Sequence, residues 1–296
     1  MTTLYFEIDK EDELRKIGYS KDGKHQHPQI MIGLLVSTNG YPIAYQIFEG
    51  NTAETKTLVP AIERICERYK IDKPIVVADA ALLSRFNIEK LEERGFQYIL
   101  GGRVKSEKEE TRKRILASDI TENTPCTFET SKGKLIVSFN TKRQRKDEFN
   151  RKRGLKKLKK KVATGKLTKE SINNRGYNKY LKLEGETKVE IDYDKYLADS
   201  KWDGLKGYNT NTDLSPKEVI AAYGNLWTVE KAFRISKSDL RTRPIYHRKN
   251  QRIKAHNCNC FMAYALYKEL ERRLYENKTK ISIEKAIMEI VLIYNN

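Results

Sequence analysis

The sequence predicts a mixed α/β fold, and three observations carry that prediction. Strand and helix signals alternate through the first hundred residues, helical periodicity returns after Ser215, and a strongly basic stretch separates the two. A chain of 296 residues with 39% hydrophobic content can bury a sizeable core.

Residues 2–8 are rich in β-branched and aromatic side chains and read as a strand. Residues 29–37 and 41–48 flank Thr38-Asn39-Gly40, the mark of a hairpin. From 54 to 70, Leu58, Ile62, Ile65 and Tyr69 recur at helical spacing. Residues 74–78 form a short continuous apolar run, as in a strand covered on both faces. Ser84 is placed to cap a helix running through Arg94, and residues 96–100 form a further strand. That order predicts a mixed sheet with helices packed on it.

From about Gly101 the periodicity degrades. Residues 103–119 and 141–176 are dominated by charge, with β-like pieces at 135–139 and 188–193. After Ser215-Pro216 the pattern is helical over 216–238, 250–274 and 281–294, with Pro216 and Glu218 suited to a first turn. The expected division is therefore 1–100, a basic and largely β insertion at 101–214, and a helical return at 215–296.

Lys and Arg total 58 against 40 Asp and Glu, a net charge of +18. Thirteen cations, among them Lys156, Lys157 and Lys160, fall within residues 142–166 against Asp147 and Glu148. Such a run can be a solvated surface, but more than half of the net charge in one place favours contact with phosphates. No apolar run reaches the length of a membrane span and no signal-peptide pattern follows Met1, so a membrane protein and a secreted disulfide scaffold are set aside. Cys66 and Cys126 lie far apart, and Cys258-x-Cys260 is not metal-knuckle spacing. On a helix, His256, Cys258 and Cys260 point to opposite sides and cannot all converge, so buried thiols are expected.

Two carboxylates stand out. Asp79 closes the 74–78 strand, where ligands bind in open sheets, although a turn or cap would also suit it. Tyr223, Glu230 and Lys237 are seven apart and share one helix face with Arg234, as a functional stripe or a surface ion-pair ladder would. Tyr223, Trp227 and Phe233 suggest that this helix is half-buried. Arg241, Arg243, His247, Arg248, Lys249, Arg252 and Lys254 form a second basic concentration beyond it. His25 and His27, beside Lys21 and Lys24, read first as solvated loop residues, Trp202 as structural, and His247 and His256 as packing residues.

TTLYFE, GYSKDGKHQHPQIMIGLLV, FEGNTAET, VVADAALLS and Y-x6-E-x6-K followed by RPIYH resemble the DDE-type transposases of insertion sequences of the IS4-like group. The resemblance covers nearly the whole chain. It implies a ribonuclease-H-like core interrupted before its last acidic helix, metal-dependent phosphodiester cleavage and strand transfer, and double-stranded DNA (transposon ends and target) as partner. It further implies Asp79 and Glu230 as catalytic, metal-holding carboxylates, Mg²⁺ or Mn²⁺ as cofactor, a homodimer when complete, and a cytoplasmic, nucleoid-associated site of action. Tyr223, Arg234, Lys237, Arg241, Arg243, Lys156, Lys157 and Lys160 are the expected DNA contacts. Two departures stand beside it. The arginine of the signature is Leu226 here, and the family's first aspartate falls two residues ahead of Thr2. Glu7 and Asp9 cannot replace it, because they alternate to the other face of the strand. The expectation is a chain inactive by itself, or a non-catalytic DNA-binding or regulatory remnant.

Overall fold

The computed structural model describes residues 1–20, 23–80, 84–130, 133–165, 167–185 and 188–294. The chain forms two compact units, one of Met1–Phe96 with Ala222–Asn296 and one of Gln97–Ala221.

In the first unit, β1 (Thr2–Tyr5), β2 (Gln29–Val36) and β3 (Pro42–Glu49) lie in that order, antiparallel throughout, with Thr2 opposite Ile32 and Ile32 opposite Ile47. The hairpin expected at Thr38-Asn39-Gly40 is present. Gly40 has φ +81°, and a Cβ there would lie 2.7 Å from Thr228 Cγ2, so both backbone and packing select glycine. Its carbonyl accepts a hydrogen bond from the Tyr264 hydroxyl at 2.8 Å. α1 (Glu54–Tyr69) and α2 (Arg85–Glu93) flank the short β4 (Val76–Ala78) in sequence, and the Ser84 Oγ accepts from the Asn87 amide at 3.1 Å, which is the expected cap.

The period-two pattern of the first strand sets the core. Leu4 and Phe6 are buried with Ile30, Ile245 and Ile253, and Ile8 packs at the margin. Complete burial of Phe6 contributes about 2–3 kcal/mol. Glu7 and Asp9 are exposed beyond the end of β1.

The late helices are α6 (Pro216–Gly224), α7 (Leu226–Arg234), α8 (Asn250–Glu276) and α9 (Ile283–Tyr294). The continuous helix expected over 216–238 is broken twice. α6 ends at Gly224 and Asn225 separates it from α7, both residues being weak helix formers. Residues Ile235–Asp239 then form a π turn, with the Leu240 amide donating to the Ile235 carbonyl at 3.0 Å. α7 packs on β2, α8 on β3, and Ala232, Ile235, Tyr264 and Tyr267 close the helical side of the core.

In the second unit, β5 (Tyr98–Gly102), β10 (Leu205–Thr210), β7 (Gly133–Phe139) and β6 (Cys126–Thr130) lie side by side, all antiparallel. Val104, Ile115, Phe128, Leu135, Val137 and Trp202 form the core on that sheet, with Ile115 supplied by α3 (Glu109–Ala117). β8 (Leu181–Glu184) and β9 (Lys188–Ile191) form a separate hairpin, and α5 (Tyr193–Ser200) follows. The basic run is ordered as α4 (Thr141–Ala163), a 23-residue helix capped by the Asn140 side chain. Gly154 and Leu158 bury one stripe of it against Tyr180, Leu181, Val189, Ile191 and Tyr196, leaving the cations on the other faces. Lys166 and Lys21 lie outside the described residues.

Candidate active site and nucleic-acid interface

Val76 and Ala78 of β4 are buried, and Asp79, the next residue, is exposed where the strand ends. Glu230 sits in the middle of α7 and is exposed as well. Both carboxylates belong to the first unit. The cation next to Glu230 is turned elsewhere: Lys231 Nζ is 2.7 Å from Glu271, which Lys268 also engages. Burial alone would raise the Glu271 carboxyl, but hydrogen bonds from Lys231 and Lys268 hold it below the usual range. That network is structural and leaves the Glu230 face to solvent.

The two breaks in the helix redistribute the expected stripe. Tyr223 belongs to α6 and is half-buried, so it does not continue the face of Glu230 along one helix. Arg234, one turn beyond Glu230, is exposed. Lys237 lies in the π turn and is half-buried. It lines a cavity of about 50 Å³ together with Thr2 and Leu4 of β1, Ile32 and Leu34 of β2, and Asn257 and Cys260 of α8. The end of the tyrosine-to-lysine signature thus meets the first residues of β1.

Trp227 corrects the sequence reading most clearly. It was expected to help bury the helix, yet it is 61% exposed, one turn before Glu230. Its i, i+3 spacing from Glu230 could have shown this, because α7 buries Thr228 and Ala232 instead.

Beyond the π turn, Arg241, His247, Arg248, Lys249, Arg252 and Lys254 are exposed and Arg243 is half-buried, so the second basic concentration is a surface. On α4, Lys156, Lys157 and Lys160 are exposed. His25 is an exposed loop residue, its ring 5.8 Å from that of Tyr19, and His27 lies 6.2 Å from Tyr5. Trp202 is buried under the Arg112 guanidinium, a structural position.

His256 Nε2 donates to the Thr242 carbonyl, 3.1 Å away, and the ring packs against His247 at 5.4 Å between ring centroids. His256 and Cys260, one turn apart, do approach, at 3.7 Å, while Cys258 stays apart from them beside Tyr45. Cys260 is half-buried rather than fully buried as expected, and that partial burial pushes its thiol up. Among the described residues no group of three or more His, Cys, Asp and Glu side chains is gathered as a metal site.

The model of the family described as Transposase DDE domain matches residues 6–266. This chain belongs to the transposase DDE domain family. Its fold is mixed α/β, with the second unit inserted in sequence within the first. No curated protein matches the chain. Among solved structures it is similar to a cryo-EM piggyBac transposase synaptic complex with hairpin DNA, at a TM-score of 0.48 and 8% identity. That likeness covers 97% of this chain and 49% of the other, so the chain spans about half the length of that transposase. Among the described residues, no helix is long and apolar enough to cross a membrane.

Proposed function

We propose that the chain is the DNA-cutting part of an insertion-sequence transposase, with Asp79 and Glu230 as two of its metal-holding carboxylates. Family membership over residues 6–266 carries the reading. It is supported by the positions of the carboxylates, one at the end of a buried strand and one on an exposed helix face of the same unit.

The donor chemistry fits. Mg²⁺ and Mn²⁺ take hard oxygen ligands, and both carboxylates are at the surface rather than closed into the core. When bound, such ions activate the attacking oxygen and stabilise the leaving one in phosphodiester cleavage and strand transfer. The chain's own groups do the positioning. Arg234 and Lys237 hold backbone phosphates near Glu230, and Tyr223, Arg241 and Arg243 extend that contact along double-stranded DNA. Exposed Trp227 offers a flat face for a base or sugar beside Glu230.

The test is a nicking assay on a duplex carrying the element's ends, with Mg²⁺ or Mn²⁺. Metal-dependent cleavage is expected, and Asp79→Asn or Glu230→Gln removes it. Cleavage that survives both substitutions would put the chemistry elsewhere.

A second reading is a DNA-binding or regulatory remnant, favoured by the lack of a gathered three-donor group among the described residues. It predicts duplex binding with no metal-dependent cleavage. As a transposase, the protein works as a homodimer at the bacterial or archaeal nucleoid. Sedimentation with and without duplex checks the dimer.

A further inference from the structure

α7 is a nine-residue helix bounded by the break at Asn225 and by the π turn that begins at Ile235. A helix that short has little stability of its own, so its packing decides where its side chains point. That packing is sparse. α7 buries Thr228 and Ala232, two small side chains that allow close approach but give little grip against rotation, while Trp227 stands 61% exposed.

Lys231 supplies what packing does not. It follows Glu230 directly and points about 100° round the helix from it. Its Nζ donates to Glu271 Oε1 at 2.7 Å, and Lys268 Nζ donates to Oε2 of the same carboxylate. With an ammonium on each oxygen, the Glu271 carboxylate is held from both sides.

α8, which carries Lys268 and Glu271, is itself tied to the turn between β2 and β3 at this level. The Tyr264 hydroxyl donates to the Gly40 carbonyl at 2.8 Å, and the Tyr41 hydroxyl donates to Glu269 at 3.1 Å. Lys268 is 9% exposed, and a Cβ on Gly40 would stand 3.5 Å from its Nζ. One fixed carboxylate therefore connects the residue beside Glu230 to the sheet. A half-exposed ion pair adds little stability, but at this position it fixes an orientation.

We propose that Lys231 and Glu271 are positioning residues whose ion pair sets the rotation of α7 and thereby the direction in which Glu230 meets a metal ion. The role towards Glu230 rests on the proposed function; the restraint on α7 does not.

Three variants isolate the link. Lys231→Met cuts it and leaves Lys268 on Glu271, Lys231→Arg keeps it, and Lys268→Met removes the buried ammonium while keeping it. The chain has two tryptophans, and buried Trp202 reports only the tumbling of the molecule, so fast nanosecond depolarisation of their fluorescence comes from Trp227 on α7. Without metal or DNA, Lys231→Met is expected to enlarge that fast component, and the other two variants to match the parent. In the nicking assay, Lys231→Met should raise the Mn²⁺ needed for half-maximal rate about tenfold, the cost of releasing a group that orients a metal ligand. Lys231→Arg should restore the parental requirement. The sign discriminates, because loss of a positive charge beside Glu230 would by itself favour the cation and lower the requirement. Thermal melts establish that each variant is folded at the assay temperature.

Parental Trp227 motion in Lys231→Met overturns the restraint. A parental Mn²⁺ requirement in Lys231→Met, with nicking abolished by Glu230→Gln, overturns the positioning role and leaves the catalytic reading standing. Melts lowered alike in Lys231→Met and Lys268→Met, with both other readouts unchanged, assign the pair to stability alone and overturn it too. If Glu230→Gln nicks as the parent does, the catalytic reading fails and the role towards Glu230 with it, while Trp227 still decides whether the pair restrains α7.

Discussion

Glu230 and Lys237 are seven positions apart, yet one is exposed and the other lines a cavity with Thr2. The π turn that holds Lys237 makes the difference, and it makes their roles separable. Glu230→Gln keeps shape and removes charge, so on the proposed function it should abolish metal-stimulated nicking, a loss of at least a hundredfold, with duplex affinity within about threefold. Lys237→Ala should instead weaken duplex binding, because it removes a phosphate partner and leaves the carboxylates in place. A nicking assay beside an anisotropy titration on both variants checks this, and equal effects on both readouts would contradict it. Asp199 carries a different kind of prediction. Burial would raise its carboxyl, but Lys105, Lys179 and Tyr180 overcome that and hold it far below the usual carboxylate range. A carboxyl lowered by folding contributes stability above its unfolded pKa, near 3.9 for Asp, and that contribution is lost as pH falls towards the folded value. Melting of the second unit should therefore drop below about pH 4, and Asp199→Asn should flatten that acid limb while lowering stability at pH 7.

At the scale of elements, α4 tests how a highly charged helix is held. A Cβ on Gly154 would sit 2.1 Å from the ring of Tyr177, so Gly154→Ala should cost about 1–3 kcal/mol despite the better helix propensity of alanine. A thermal melt showing stabilisation would mean that Tyr177 moves aside freely. The same helix shows what the sequence could reveal and what it could not. Hairpin, α1, β4 and the Ser84 cap were legible because each carries a local signal: a turn dipeptide, helical spacing, an apolar run, a capping hydroxyl. α4 was not, because Gly154, Leu155, Leu158 and Val162 are a thin apolar stripe among lysines and arginines that also suit a disordered tail. β10 was hidden for the opposite reason. It lies between β5 and β7, but Gly207 and Asn209 have poor strand propensity, and tertiary pairing overrides it. For the candidate site, motif and spacing single out Asp79 and Glu230, whereas the exposure of Trp227 depends on the break at Asn225 that starts α7.

Across the whole molecule the net charge of +18 is divided between several surfaces, and that division has a measurable consequence. Exposed cations lie on α4 in the second unit and beyond the π turn in the first. Each cation that meets a DNA phosphate releases counterions, so log K should fall linearly with log salt at about 0.9 per phosphate met. If both units touch the duplex, about six to ten phosphates are within reach, and affinity should fall about 10³- to 10⁵-fold between roughly 50 and 200 mM salt. Substituting Lys156, Lys157 and Lys160 by Ala should then reduce the slope by at most about three and leave a substantial remainder. Substituting Arg241, Arg248 and Arg252 should remove a further part, and the two sets should add, because residues in different units with no shared partner couple weakly. Anisotropy titrations of the parent, each triple variant and their combination decide the matter. A first triple that eliminates nearly all salt dependence would confine DNA to the second unit, and Glu230 on α7 would then have no bound duplex to cut.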